Sequence, residues 1–255
     1  TVIYLRADYE TVAKRVLDIS GRGVVTRQGQ TLLDIFNERS PLYEKYAQLL
    51  FSKQKLYPCS CSRKKLFEEN PINADGEVIY SGHCLKNPIN KNSDFALRFK
   101  TPDKTITWED LLLGKFEENP KNQCGDFTIK DRISQWTYQF AVCVDDLEEN
   151  IGLVVRGEDL RNSTARQIAL LEALGKKTPP LYLHHPLLTE KSGEKLSKRQ
   201  HSKSLRAELE QGLSIEDLLG LVCYETHSIP KKAPLTLNEA IYSIQKTYFS
   251  CFLKK

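Results

Sequence analysis

Methionine is missing from all 255 residues, an absence for which the sequence offers no physical account. The chain also lacks any apolar run of the ~18–20 residues that a membrane helix requires, so no membrane span is expected. It begins at Thr1 with no basic stretch, apolar core and small-residue cleavage site, so no secretory signal is visible and a cytoplasmic location is the default. A start at Thr1 rather than Met leads to the expectation that further residues precede it. No phosphate-cradling Gly-x-x-x-x-Gly-Lys-Thr loop occurs, because the Gly175-Lys-Lys-Thr178 fragment lacks the earlier glycine and a leading strand. Internal repeats and low-complexity segments are absent too.

What is present is an ordinary globular balance of 40% hydrophobic and 27% charged residues, enough for one large or two modest cores. A formal charge of +4 permits contact with a polyanion without demanding it. Of the seven cysteines, Cys124, Cys143, Cys223 and Cys251 are scattered through mixed sequence and read as reduced packing residues. Cys59, Cys61 and Cys84 form a separate group.

Thr1–Arg6 reads as a short strand and Tyr9–Ile19 as a helix broken at Ser20-Gly-Arg-Gly23. A longer helical pattern runs from Thr31 to about Gln54, and Pro41 is expected to divide it into two helices. Residues 56–96 are turn-rich and cysteine-bearing. Phe95–Phe99 and Gly125–Ile129 alternate like strands. Gln135–Val144 is aromatic and β-branched, ahead of an acidic turn that Asp145 and Asp146 are placed to cap, and Ile151–Val155 follows. Ser163–Leu174 keeps helical spacing until Gly175 stops it, Tyr182–Leu188 is a short apolar run, and Leu205–Tyr224 and Thr236–Tyr248 read as helices.

Three segments carry chemistry. The first is Lys195-Leu-Ser-Lys198-Arg199, which follows His184-His185-Pro186 and precedes His201. Lysines on a glycine-bearing loop can close over phosphate oxygens as negative charge builds on them, although a lysine-rich pentapeptide alone is more often a solvated turn. The second comprises Asp126–Arg132, Trp136–Asp146 and Val155-Arg156-Gly-Glu-Asp159. A guanidinium such as Arg156 pairs bidentately with a carboxylate, and a phenol such as Tyr138 adds an oriented hydrogen bond. Tyr138 reads equally as a half-buried core tyrosine, and Arg156 as a salt-bridge partner of Glu158 or Asp159. The third is Cys59-Ser-Cys61 with Tyr80-Ser-Gly-His83-Cys84, a pattern suited to a tetrahedral thiophilic metal. His83 in place of Tyr80, or three unmetallated cysteines, remain open alternatives.

Together these segments resemble the glutamyl-type class I aminoacyl-tRNA synthetases from about Pro41 to His201, with Leu196 in the methionine position of the lysine signature. The resemblance implies an α/β fold: a partial class I aminoacyl-tRNA synthetase (Rossmann-like) core with a zinc-bearing insert and a helical C-terminal tail. It implies Lys198, then Lys195, as catalytic lysines, with Lys198 on the ATP phosphates; Tyr138 and Arg156 as the glutamate pocket; and Cys59, Cys61, Tyr80 and Cys84 as ligands of a structural zinc. ATP with Mg and L-glutamate would be substrates. The cysteine pattern and the short stretch after the lysine segment resemble the family's glutamyl-Q branch, so tRNA(Asp) is the implied nucleic-acid partner, with a monomer as the expected state.

The family's opening Arg-Phe-Ala-Pro-Ser-Pro strand and His-Ile-Gly-His-type motif are not found, and the five histidines form no such group. Instead, residues 1 to about 48 resemble the C-terminal part of shikimate kinase, through Val2–Leu5, Gly21-Arg22-Gly23, Gly29–Thr31 and Glu38–Ala47. That resemblance would place Arg22 in an ATP lid and Arg39 on a shikimate carboxylate; Arg22 reads otherwise as a loop arginine and Arg39 as a helix salt bridge. The expected organisation is therefore 1–40 kinase-like, 41–205 synthetase core without its ATP loop, and 206–255 helical tail. The leading expectation is ATP-dependent glutamate activation and transfer to tRNA. A catalytically dead tRNA- or glutamate-binding module and a shikimate kinase remnant are the alternatives.

Overall fold

The computed structural model describes residues 29–87, 89, 94–187 and 209–248. The expected strand and helix before residue 20, Arg22, and the lysine segment with Lys195 and Lys198 lie outside the described residues. The chain divides into two compact units, one holding residues up to 108, 116–152 and 163–180, the other 109–115, 153–162 and 181 onward.

The first unit opens on helix α1 (Leu32–Ser52), started by a capping box in which Thr31 and Asp34 satisfy each other's backbone amides. Pro41 does not divide this helix but sits inside it. Pro41 and Asn37, whose carbonyl loses its donor, are both exposed, so water can take the freed group. Buried Tyr43, Ala47 and Leu50 recur at helical spacing and turn one face of α1 into the core.

Strand β1 (Leu56–Cys59), strand β2 (Ala96–Phe99) and strand β5 (Thr128–Lys130) form an antiparallel sheet in the order β1-β2-β5. Short helices α2 (Arg63–Glu69), α3 (His83–Lys86) and α4 (Pro120–Cys124) punctuate the loops around it. Residues 125–127, expected to begin a strand, instead make an isolated bridge at Gly125 and a bend at Asp126, because Gly125 adopts φ +64 and ψ −148, a conformation nearly closed to other residues.

The aromatic and β-branched run over Gln135–Val144 becomes helical at Tyr138, and the acidic residues after it, expected to form a turn, continue the same helix α5 (Tyr138–Glu148). Phe140, Ala141 and Val144 fall on one helical face and are fully buried, so packing outweighs the β propensity of the valines. Asp145 caps nothing: its carboxylate accepts from Tyr43 Oη at 3.1 Å and from Arg39 at 3.0 Å, while Arg39 also reaches Glu149 at 2.7 Å. Arg39 is thus engaged with carboxylates of its own chain. Helix α6 (Thr164–Leu174) ends at Gly175 with φ +107, as its glycine signalled. Cys124 and Cys143 are buried free thiols, in keeping with their reading as packing residues.

In the second unit, strands β6 (Leu153–Gly157) and β7 (Leu181–His185) run parallel, Arg156 lying opposite His184. The end of strand β3 (Ile106–Asp110) meets the other edge of β7, Asp110 opposite Tyr182. Strand β4 (Gly114–Glu118) follows β3. The helix expected over Leu205–Tyr224 does not run unbroken through its described part: Gly212 at φ +95 and the Ser214 cap start helix α7 (Ile215–Glu225) afresh. Helix α8 (Leu237–Tyr248) closes the described chain, and Gly220 of α7 packs so closely on Ala233 that a Cβ there would lie 1.8 Å from its carbonyl oxygen. No helix of the described residues is long and apolar enough to cross a membrane.

Replacing Pro41 with alanine restores an amide donor inside α1, so Pro41→Ala is expected to stabilise the fold by about 1–2 kcal/mol in urea denaturation. A destabilised variant would show that the proline fits the helix better than its missing hydrogen bond implies.

Candidate functional site

The first unit gathers the cysteine group. Cys59 ends β1, Cys61 follows two residues later, and Cys84 sits on α3, whose start is set by Gly82 in the left-handed region at φ +79. The three sulfurs lie within 4.8 Å of one another, with Cys61 Sγ 3.4 Å from Cys84 Sγ. Tyr80 completes the arrangement: its hydroxyl is 3.4 Å from Cys59 Sγ and 3.6 Å from Cys61 Sγ, and it accepts the Cys84 backbone amide at 2.9 Å. Ordinary tetrahedral bond lengths of about 2.3 Å to sulfur and about 2.0 Å to oxygen give sulfur–oxygen edges of roughly 3.5 Å, so these four donors fit one small thiophilic ion. His83 stands outside the group, its Nε2 3.4 Å from Lys65 Nζ.

Backbone geometry holds Tyr80 in place. It bridges to Gly125, where a Cβ would lie 2.1 Å from the Tyr80 carbonyl oxygen. Next in sequence, the carboxylate of fully buried Asp126 accepts from Tyr57 Oη at 2.7 Å, from the Thr101 amide at 3.0 Å and from Lys121. Burial raises the Cys84 thiol pKa, but bonds from Tyr80, the Ser60 amide, Cys61 and Cys59 outweigh it and bring the group down to about 7. Burial dominates at Cys61 and pushes it up to about 11.

The second unit holds Arg156, buried at 9% exposure. Its Nε donates to His184 Nε2 at 2.9 Å, and His184 Nδ1 lies 2.7 Å from Asp110 Oδ2, which also accepts the His184 backbone amide at 3.0 Å. Because Arg156 Nε–H donates to Nε2, Nε2 is an acceptor, Nδ1 carries the proton and donates it in a hydrogen bond to Asp110, and the imidazole is neutral. Burial lowers the His184 pKa; Asp110 pulls it up, and Arg156 and Arg161 push it down. The Tyr182 ring lies 5.5 Å from the Arg156 guanidinium carbon. Holding the guanidinium by Nε fixes the plane of its fork, which bidentate recognition of a carboxylate requires.

Tyr138, the first residue of α5 in the other unit, is half-buried against that unit's core. Lys195 and Lys198 lie outside the described residues. Asp110 and the role of His184 escaped the sequence reading: the two are 74 residues apart, and only strand pairing joins them. Asp126 was noted only within a motif, and nothing local marks it as the centre of a buried network.

A parallel strand pair joined in sequence through a helix, with an antiparallel cysteine-bearing segment before it, gives the chain a mixed α/β architecture. Residues 32–228 match the family described as tRNA synthetases class I (E and Q), catalytic domain, and the chain belongs to that family, with its mixed α/β fold. It is 37% identical over 172 residues to a glutamyl-Q tRNA(Asp) synthetase of Neisseria meningitidis serogroup C (strain 053442), covering 66% of this chain and 58% of that protein. A glutamyl-Q tRNA(Asp) synthetase of Geobacter sulfurreducens is 37% identical over 173 residues, covering 67% and 55%. The fold is similar to that of a glutamate tRNA ligase from Elizabethkingia meningosepticum, with a TM-score of 0.61, 21% identity, and coverage of 93% of this chain and 59% of that one. The chain thus spans little more than half the length of the relatives it matches.

Two outcomes are expected here. Gly125→Ala should cost at least about 2 kcal/mol in thermal or urea melts, since both its backbone angles and its contact with Tyr80 exclude a Cβ. The second follows from the His184 shift. The unfolded chain protonates this imidazole below the usual 6.5 while the fold resists, so the stability it confers is present above 6.5 and lost as pH falls. Between about pH 7.5 and about pH 5.5, the wild type should therefore lose more unfolding free energy than His184→Gln; parallel slopes would place the pH dependence elsewhere.

Proposed function

We propose that this chain carries the central part of a glutamyl-Q-type synthetase that activates L-glutamate with ATP and Mg and transfers it to tRNA(Asp). The observation that carries the reading is the 37% identity over 172 residues to relatives of that name. In this scheme Arg156, oriented through Nε by His184, forks a carboxylate of glutamate. Lys198 and Lys195 neutralise the phosphate charge that builds as pyrophosphate leaves.

Cys59, Cys61, Tyr80 and Cys84 hold a zinc ion. The fit rests on their donor types and on sulfur–oxygen distances of 3.4 and 3.6 Å, close to tetrahedral edges. Zinc, when bound, supplies a cross-link between β1 and α3 and no chemistry on the substrate, because four protein groups close the site.

The test is glutamate-dependent exchange of labelled pyrophosphate into ATP by the full chain. Exchange that Arg156→Lys reduces at least about tenfold supports the proposal, because an ammonium cannot replace a planar fork. No exchange at high protein and substrate concentration removes the enzymatic claim. A second reading is binding without turnover, in which the reacting atoms are attracted but not positioned. Retention of tRNA(Asp) without exchange would select it.

A further inference from the structure

Arg98 is the least expected cation of the first unit. On β2 it stands opposite Tyr57 of β1, on the sheet face that also carries Cys59. Its side chain is buried at 6% exposure. The guanidinium carbon lies 3.8 Å from the centre of the Tyr80 ring, and one terminal nitrogen donates to the Asp126 backbone carbonyl at 2.7 Å. Its Nε is buried without an acceptor among the described residues. The neighbouring Asp126 carboxylate is committed to Tyr57, Thr101 and Lys121.

A buried guanidinium without a carboxylate is costly, and an aromatic face and one carbonyl dipole offset only part of that cost. Negative charge is therefore wanted close by. Arg98 lines the same cavity of about 290 Å³ as Cys59 and Cys61. Three thiolates around one dication leave a net negative charge at that place. Arg63 and Arg132 border the cavity as well but are exposed, so water screens them.

We propose that Arg98 is the counter-cation of the metal-loaded cysteine cluster, a positioning residue that raises zinc affinity by balancing the charge of the thiolates while bracing the Tyr80 ring. The proposal rests on the zinc reading above. It makes Arg98 a liability in the metal-free chain and an asset in the loaded one, a reversal that an ordinary packing residue would not show.

The test uses the full chain as wild type, Arg98→Met, Arg98→Lys and Cys61→Ser, with zinc affinity measured by chelator competition and thermal melts recorded with and without zinc. Arg98→Met should weaken zinc binding roughly 10- to 100-fold yet melt no lower than wild type when metal-free. Arg98→Lys, which keeps the charge, should stay within about threefold of wild type. Arg98→Met binding zinc as tightly as wild type, or losing metal-free stability in step with affinity, overturns the counter-cation role. Lysine binding as poorly as methionine overturns it too. A wild type that binds no more zinc than Cys61→Ser removes the metal reading itself, and Arg98's role with it.

Discussion

The buried carboxylate of Asp126 is the fixed point of the first unit. With no exposed surface and three donors converging on it, it ties β1 through Tyr57, the loop after β2 through Thr101, and α4 through Lys121. Its own backbone carbonyl holds Arg98, and the preceding Gly125 admits the backbone of Tyr80. The cysteine group inherits its geometry from this segment. A buried carboxylate whose oxygens are satisfied by three donors is a rigid centre in a low-dielectric interior, because a donor left without it would be costly. That rigidity lets a loop-rich segment with little apolar core bring four donor atoms together.

The second unit solves a similar problem with different chemistry. Arg156 is buried, and the hydrogen bond at its Nε comes from a neutral imidazole whose own tautomer a buried carboxylate sets. Charge thus sits at the two ends of the row, Asp110 and Arg156, with a neutral ring between them. The arrangement orients the guanidinium without a carboxylate lying directly on Nε. Arg166, also buried, is paired with Glu77, an ion pair that pins α6 to a surface turn.

Much of this was legible in the sequence wherever the signal was local. The cysteine spacing brought out Cys59, Cys61 and Cys84, and the tyrosine four residues before Cys84 proved to be the neighbour that touches two of the sulfurs. Helix α6 announced itself through spacing and its terminal glycine. Local signals misled where packing overrode them: the valines of α5 favour strands, yet Trp136, Phe140 and Tyr43 pack into one aromatic cluster that a helix satisfies. Pro41 is a helix breaker by rule, but at an exposed position the rule loses its force, since solvent can take the carbonyl it strands.

What stayed hidden were pairings made only by the fold. Asp110 and His184 are linked because β3 and β7 run side by side, and no spacing rule reaches across 74 residues. Arg98 reads in sequence as one more alternating strand residue, whose outward turn would be the natural guess. It is buried because antiparallel register places it opposite Tyr57, over the Tyr80 ring. Both cases concern second partners: residue types that touch a ligand carry their chemistry in their identity, while those that aim or balance them carry it only in their placement. A motif therefore exposes the donors of a site long before it exposes what makes the donors work.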